Sequence, residues 1–271
     1  MNLFKERKIL LYMTEKNSPA LWDAIWGPIS KEEEDYKIKK EENSIQWQRI
    51  EKIVLNKFGS FKNLKTIEIG AGSGTNSLLF AKRGAEVTVL DFSKKALERS
   101  KIFFERRGIH VTTILCDALK LDEKLLKKYD VAMSFGVSEH FEGEDRIKIN
   151  LSHFEVLKKD GLALICLPNS SNLPYMVWRF LSQKTGRWKW GTEIPFSRKE
   201  LKNFMKKIGK KNYSFIGEFL FTSLELINPI RIIKRAFGIK KDFNLIKIKK
   251  QKGTFLDEYF SQYITLIGVN N

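Results

Sequence analysis

The chain has 271 residues, 42% of them hydrophobic, enough to bury a substantial core in one α/β domain or in such a domain with a cap. No apolar run reaches the roughly 18 residues of a transmembrane helix, and the apolar stretch Ile9 to Met13 is too short for a signal peptide. The net charge of +17 would draw nucleic acid or anionic membrane, but Lys well outnumbers Arg, whose forks favour phosphate and base recognition, so a Lys-rich solvated surface competes with both readings.

In chain order, Trp22 to Trp26 predicts a short helix ended by Gly27-Pro28, and Lys31 to Glu42 a solvated helix or linker. Ile45, Ile50, Ile53, Val54 and Phe58 form a helical stripe that would pack on a sheet. A β-branched strand follows, ending at Glu68 and Ile69, then a loop with Gly70, Gly72 and Gly74, then an apolar helix pattern over Leu78 to Ala81. The next strand, Val87 to Leu90, stops at Asp91. Such a βαβ unit suits a nucleoside ligand: glycines admit close backbone approach, and the acid can accept from two ribose hydroxyls. The dinucleotide fingerprint wants a third glycine at position 75, which is Thr, and no Lys-Ser or Lys-Thr pair follows to make a P-loop.

Further strands are expected at Val111 to Leu115, ending in Cys116-Asp117-Ala118, and at Tyr129 to Ser134, running into Phe135-Gly136-Val137-Ser138-Glu139-His140. A fifth, Gly161 to Leu167, should follow a helix that ends over Leu157 to Gly161. The aromatic stretch Pro174 to Pro195 reads either as a lid or as a helix whose Tyr175, Val177, Trp178 and Leu181 are core. Ser197 and Glu200 form a capping box opening a helix through Phe204. Tyr213 to Phe221 and Gln262 to Val269 would be the last two strands, separated by a long segment from Thr222 to Ser261. That segment interleaves Ile230, Ile232, Ile233 and Phe237 with Arg231, Lys234, Arg235, Lys240 and Lys241, a pattern for an anionic membrane surface, a phosphate-bearing substrate or a solvated helix face. Cys116 and Cys166 give no metal spacing and no disulfide framework, so a reduced, cytoplasmic protein is expected, with peripheral contact at an anionic membrane open to it.

The E-x-G-x-G-x-G loop, the acid at Asp91, the Asp117-Ala118 pair and the order of strands resemble the class I S-adenosylmethionine-dependent methyltransferases over about residues 44–201. The resemblance implies a Rossmann-like, doubly wound α/β fold. Its seven-stranded, mostly parallel sheet would have an antiparallel last strand and a basic C-terminal insertion. It implies one domain over residues 1–271: a lead-in at 1–43, a cofactor-binding core at 44–170, and a substrate-side half at 171–271 containing the insertion 222–261. The implied cofactor is S-adenosylmethionine, held by Glu68, Gly70, Ala71, Gly72, Gly74, Asp91, Phe92, Asp117, Ala118 and Ser134. Asp91 would anchor the ribose, Asp117 would accept from the adenine amino group, and Phe92 would stack on adenine or serve as core.

The loop after the fourth strand carries acceptor chemistry in such proteins. Asp/Asn-Pro-Pro-Tyr, the mark of exocyclic-amine methylation, is absent, and no Pro-Cys pair serves cytosine-carbon methylation. Ser138-Glu139-His140 stands there instead, with His140 and Glu139 as catalytic candidates. His140 can take a hydroxyl proton, orient the acceptor, or simply hydrogen-bond within the fold. Glu139-His140 also resembles part of the metal-binding E-x-x-E-H motif of ubiquinone-pathway O-methyltransferases and small-RNA 2′-hydroxyl methyltransferases. The motif's first Glu is Gly136 here, so no metal is expected. The reading is O-methylation of a small or lipid-linked acceptor. The alternatives are an RNA methyltransferase, motivated by charge alone, and a cofactor-binding protein without turnover.

Overall fold

The computed structural model describes residues 17–26, 29–227 and 252–271. Three helices precede the sheet: α1 (Pro19–Ile25), α2 (Lys31–Glu42) and α3 (Ile45–Phe58). Each is opened by a serine, Ser18, Ser30 or Ser44, whose side chain accepts a first-turn N–H. The end of α1 at Gly27-Pro28 lies outside the described residues. Strand β1 (Lys65–Ile69), helix α4 (Thr75–Ala81) and strand β2 (Glu86–Asp91) form the expected βαβ unit. Helix α5 (Lys94–Glu105), β3 (Thr112–Leu115), β4 (Tyr129–Phe135), α6 (Gly143–Glu155) and β5 (Leu157–Pro168) continue the alternation. Helices α7 (Leu173–Lys184) and α8 (Arg198–Lys207) follow, then β6 (Tyr213–Gly217), the short α9 (Asp257–Phe260) and β7 (Tyr263–Val269).

The sheet order is β3-β2-β1-β4-β5-β7-β6. Strands β1 to β5 pair in parallel, and β7 runs antiparallel to both β5 and β6. Side chains alternate between two apolar layers. Leu162 and Leu164 of β5 pack with α3 to α5 through Trp47, Ile50, Phe80 and Phe104, while Ala163, Ile165 and Leu167 pack with α6 and α8 through Ile149, Phe154, Leu201 and Met205. Each large side chain buried this fully contributes about 1.5–3 kcal/mol. Strand order reverses at β1, so the crevice beyond the carboxyl ends of β1 and β4 is where this architecture binds ligands.

Two boundaries differ from expectation. Helix α6 stops at Glu155 rather than running towards Gly161; Leu157 already pairs with Tyr129, and the left-handed Asp160 (φ 64°) marks an irregularity before β4 and β5 realign at Val131 and Leu162. Strand β6 ends at Gly217 rather than Phe221, because the Asp257 carboxylate accepts from the Leu220 N–H and draws the chain into a 3₁₀ turn over Leu220–Ile227. The basic part of the expected insertion, residues 230–251, lies outside the described residues.

Candidate active site

One cavity of about 420 Å³ opens at the carboxyl ends of the central strands. Its first half is built by the βαβ unit. Gly70 and Ala71 follow β1, Asp91 and Phe92 end β2, and Asp117 and Ala118 follow β3; all six line the cavity. Asp91 is buried, and its two carboxylate oxygens accept from Gly72 N–H at 3.0 Å and Ser93 N–H at 2.9 Å. These bonds aim the group and leave lone pairs on both oxygens. Asp117 is set similarly by the Leu119 N–H at 2.9 Å.

The other expected cofactor residues stand behind this surface. Glu68 is buried below the loop and accepts from the Ser77 N–H at 2.9 Å, tying β1 to the first turn of α4; burial raises its carboxyl to about 7. Gly74 caps α4 with a left-handed backbone. Gly72 is also left-handed, and a Cβ there would fall 2.3 Å from the Trp26 ring, so in this structure an indole occupies the close approach. Ser134 is fully buried within β4 and does not line the cavity, because the strand continues through Phe135 before the chain opens.

The second half is assembled from distant segments. After β4, Ser138–His140 forms a 3₁₀ turn that presents Glu139 and His140, both buried. The segment after α7 is stitched to this turn by two bonds, Ile194 N–H to Glu139 O at 2.7 Å and His140 Nδ1 to Thr192 O at 2.7 Å. They bring in Glu193, which the sequence reading missed. A carbonyl can only accept, so Nδ1 carries the imidazole proton and Nε2 keeps its lone pair. One ligating atom each from Glu139, His140 and Glu193 can be chosen so that all three lie within 4.8 Å of one another. Burial holds both carboxyls above the usual range, and Glu193 beside Glu139 adds to it; burial lowers His140 to about 4. Glu139 Oε2 and Glu193 Oε1 are buried without a hydrogen-bond partner. Gly136 has φ 77°, and a Cβ there would stand 3.2 Å from Glu139 Oε1, so a side chain at this position would be strained and crowded.

Aromatic rings close the cavity: Trp22 and Trp26 from α1, Tyr175 and Trp178 from α7, then Trp188 and Trp190. Trp22 stands edge-on to His140 with centroids 4.8 Å apart. Asp23 fastens α1 to the start of α5 by accepting from Ser93 Oγ at 2.5 Å and Lys95 N–H at 3.3 Å. On α7, Tyr175 is buried and Trp178 faces the cavity, but Val177 and Leu181 are exposed, so that helix is a wall rather than core.

A glycine loop after β1, an acid at the tip of β2 and another after β3, on a sheet of this order, define a nucleoside-binding α/β domain. Residues 67–161 match the model of the methyltransferase domain. The ubiquinone biosynthesis O-methyltransferase of Rickettsia typhi is 24% identical over 157 residues, 58% of this chain and 60% of that protein. The protein of the same name from Pelagibacter ubique is 27% identical over 156 residues, 56% of this chain and 61% of that protein. The match thus spans about three fifths of these curated relatives. Magnesium protoporphyrin IX methyltransferase from Synechocystis PCC 6803, solved with bound SAH, shares the fold with a TM-score of 0.55 at 14% identity, covering 93% of each chain. Residues 67–161 thus match a methyltransferase domain, the chain shares its fold with S-adenosylmethionine-dependent methyltransferases, and the cofactor this supports is S-adenosylmethionine.

Proposed function

We propose that this protein methylates a hydroxyl of a small or lipid-linked acceptor, as one catalytic unit with residues 44–170 forming the cofactor core and 171–271 the substrate side. The observation that carries the reading is the neutral, lone-pair-bearing His140 Nε2 in the same cavity as the doubly aimed Asp91 carboxylate. The residues present fit the cofactor: Asp91 has lone pairs for two ribose hydroxyls, Asp117 has one oxygen free of its turn for an amino donor, and Phe92 offers a flat apolar side. When bound, S-adenosylmethionine supplies a methyl group already activated by its sulfonium charge. The chain's own task is to position the acceptor, exclude water and receive a proton. His140 Nε2 would take that proton, with the Thr192 carbonyl fixing the ring and stabilising the charge that forms on it. The names of the Rickettsia and Pelagibacter relatives support O-methylation. An acceptor with an apolar portion is supported by exposed Leu173, Phe180 and Leu181 of α7 beside exposed Phe221 and Leu224. Among the described residues no helix is long and apolar enough to cross a membrane.

Calorimetry tests the reading. S-adenosylmethionine should bind one to one, and Asp91→Ala should weaken it roughly ten- to hundredfold, the worth of one or two hydrogen bonds to a charged group. Unchanged affinity in the variant, or tighter binding of NAD, would overturn it.

A further inference from the structure

The acceptor half of the cavity carries polar groups whose bonding is unfinished. Glu139 Oε2, Glu193 Oε1 and Tyr175 Oη are all buried without a partner. Among the described residues no lysine or arginine pairs with either carboxyl: Arg146 is committed to Glu200 at 2.6 Å and to the Ile194 carbonyl at 3.0 Å, and Arg179 donates to the Glu193 backbone carbonyl. His140 Nε2 adds a third acceptor, 3.9 Å from Glu139 Oε1. The two carboxyls therefore stand without a cation paired to them. Leaving buried carboxyls in this state is costly unless a ligand supplies the missing positive charge.

The surroundings say what kind of cation. Glu139, His140 and Glu193 can each turn one ligating atom to within 4.8 Å of the others, close enough to share one cation. The walls favour an organic one. Trp22, Trp178, Trp188 and Trp190 line the same cavity, and indole faces attract organic cations. Resting on the methyltransferase reading above, we propose that the acceptor is a hydroxylated organic amine. Its ammonium group sits between Glu139 and Glu193, and this leaves His140 Nε2 for the neighbouring hydroxyl.

The test compares two probes on the full chain by calorimetry: 2-hydroxybenzylamine, and 2-ethylphenol, which replaces the ammonium by a methyl group. The amine should bind at least about tenfold tighter, and Glu193→Gln should abolish that preference. Titration with S-adenosylhomocysteine on the same sample reports separately on the cofactor half. An amine preference without nucleoside binding would uphold the ammonium site and remove the methyltransferase reading. Equal affinity for the two probes, or binding of neither, would overturn the ammonium site whatever the nucleoside does. Stoichiometric uptake of Zn²⁺ or Mg²⁺ that Glu193→Gln abolishes, with no preference for the amine, would overturn it in favour of a metal centre. The probe comparison on the unaltered chain stands even if the variant folds poorly.

Discussion

Burial leaves His140 neutral down to about pH 4, well below the ordinary range of an imidazole. A base works only in its unprotonated form, so turnover dependent on His140 should be level above about pH 5 and fall as the pH drops through 4. The sequence alone predicts the fall nearer 6.5, because nothing in it reveals the burial. His140→Ala should lower turnover about a hundredfold with little change in cofactor affinity. A variant of undiminished rate, measured at saturating acceptor, would leave the ring a structural part. At this scale the placement of Asp91 and Asp117 at the cavity was legible, because strand ends and spacing are local. Glu193 was not, since one backbone bond and one from the His140 ring, across more than fifty positions of chain, place it beside Glu139.

Among the elements, the C-terminal strands depend on one buried carboxylate. Asp257, at the start of α9, accepts from Arg49 of α3 at 2.9 Å, from Thr254 N–H at 2.7 Å and from Leu220 N–H at 3.0 Å. Arg49 in turn donates to the carbonyls of Gly217 and Thr254, so α3, the end of β6 and α9 are joined at a point. Asp257→Ala should cost roughly 3 kcal/mol, because Arg49 and two N–H groups lose their acceptor together. Chemical denaturation would show it, and a change under about 1 kcal/mol would mean the contact is incidental. Periodicity predicted α3 with its observed bounds and β7 to within a residue, since apolar stripes declare themselves. It missed the end of β6, where a side chain from 37 residues downstream intercepts the backbone.

For the whole molecule, buried acids set how stability varies with pH. Burial raises the carboxyl of Glu68 to about 7 and those of Glu218 and Glu193 to about 8. Raised carboxyls make the folded chain bind more protons than the unfolded chain. Their favourable contribution is therefore greatest at low pH and is lost as pH rises from about 4.5 through 8. The lowered His140 and His153 act in the opposite sense, but only below about 6.5. Between pH 6.5 and 8.5 the ligand-free protein should thus lose melting temperature, by roughly 5 °C. A melting temperature that climbs across that interval would contradict the burial of these groups. The sheet order was legible as a class from alternating strands and helices. The burial of particular acids was not, because it is a property of the packed layers.

The aromatic wall has an evolutionary reading. Trp22, Trp26, Trp178, Trp188, Trp190 and Glu193 all fall outside residues 67–161, the stretch that matches the methyltransferase domain. Within that stretch lie Asp91, Asp117, Glu139 and His140. On the function proposed above, the cofactor acids and the proton-accepting His140 thus lie in one continuous block, while the aromatic wall and Glu193, which would face the recipient beside Glu139, lie in its flanks. Substitution in the flanks can retarget such a protein while its central block stays recognisable, so two chains alike in the block need share no recipient.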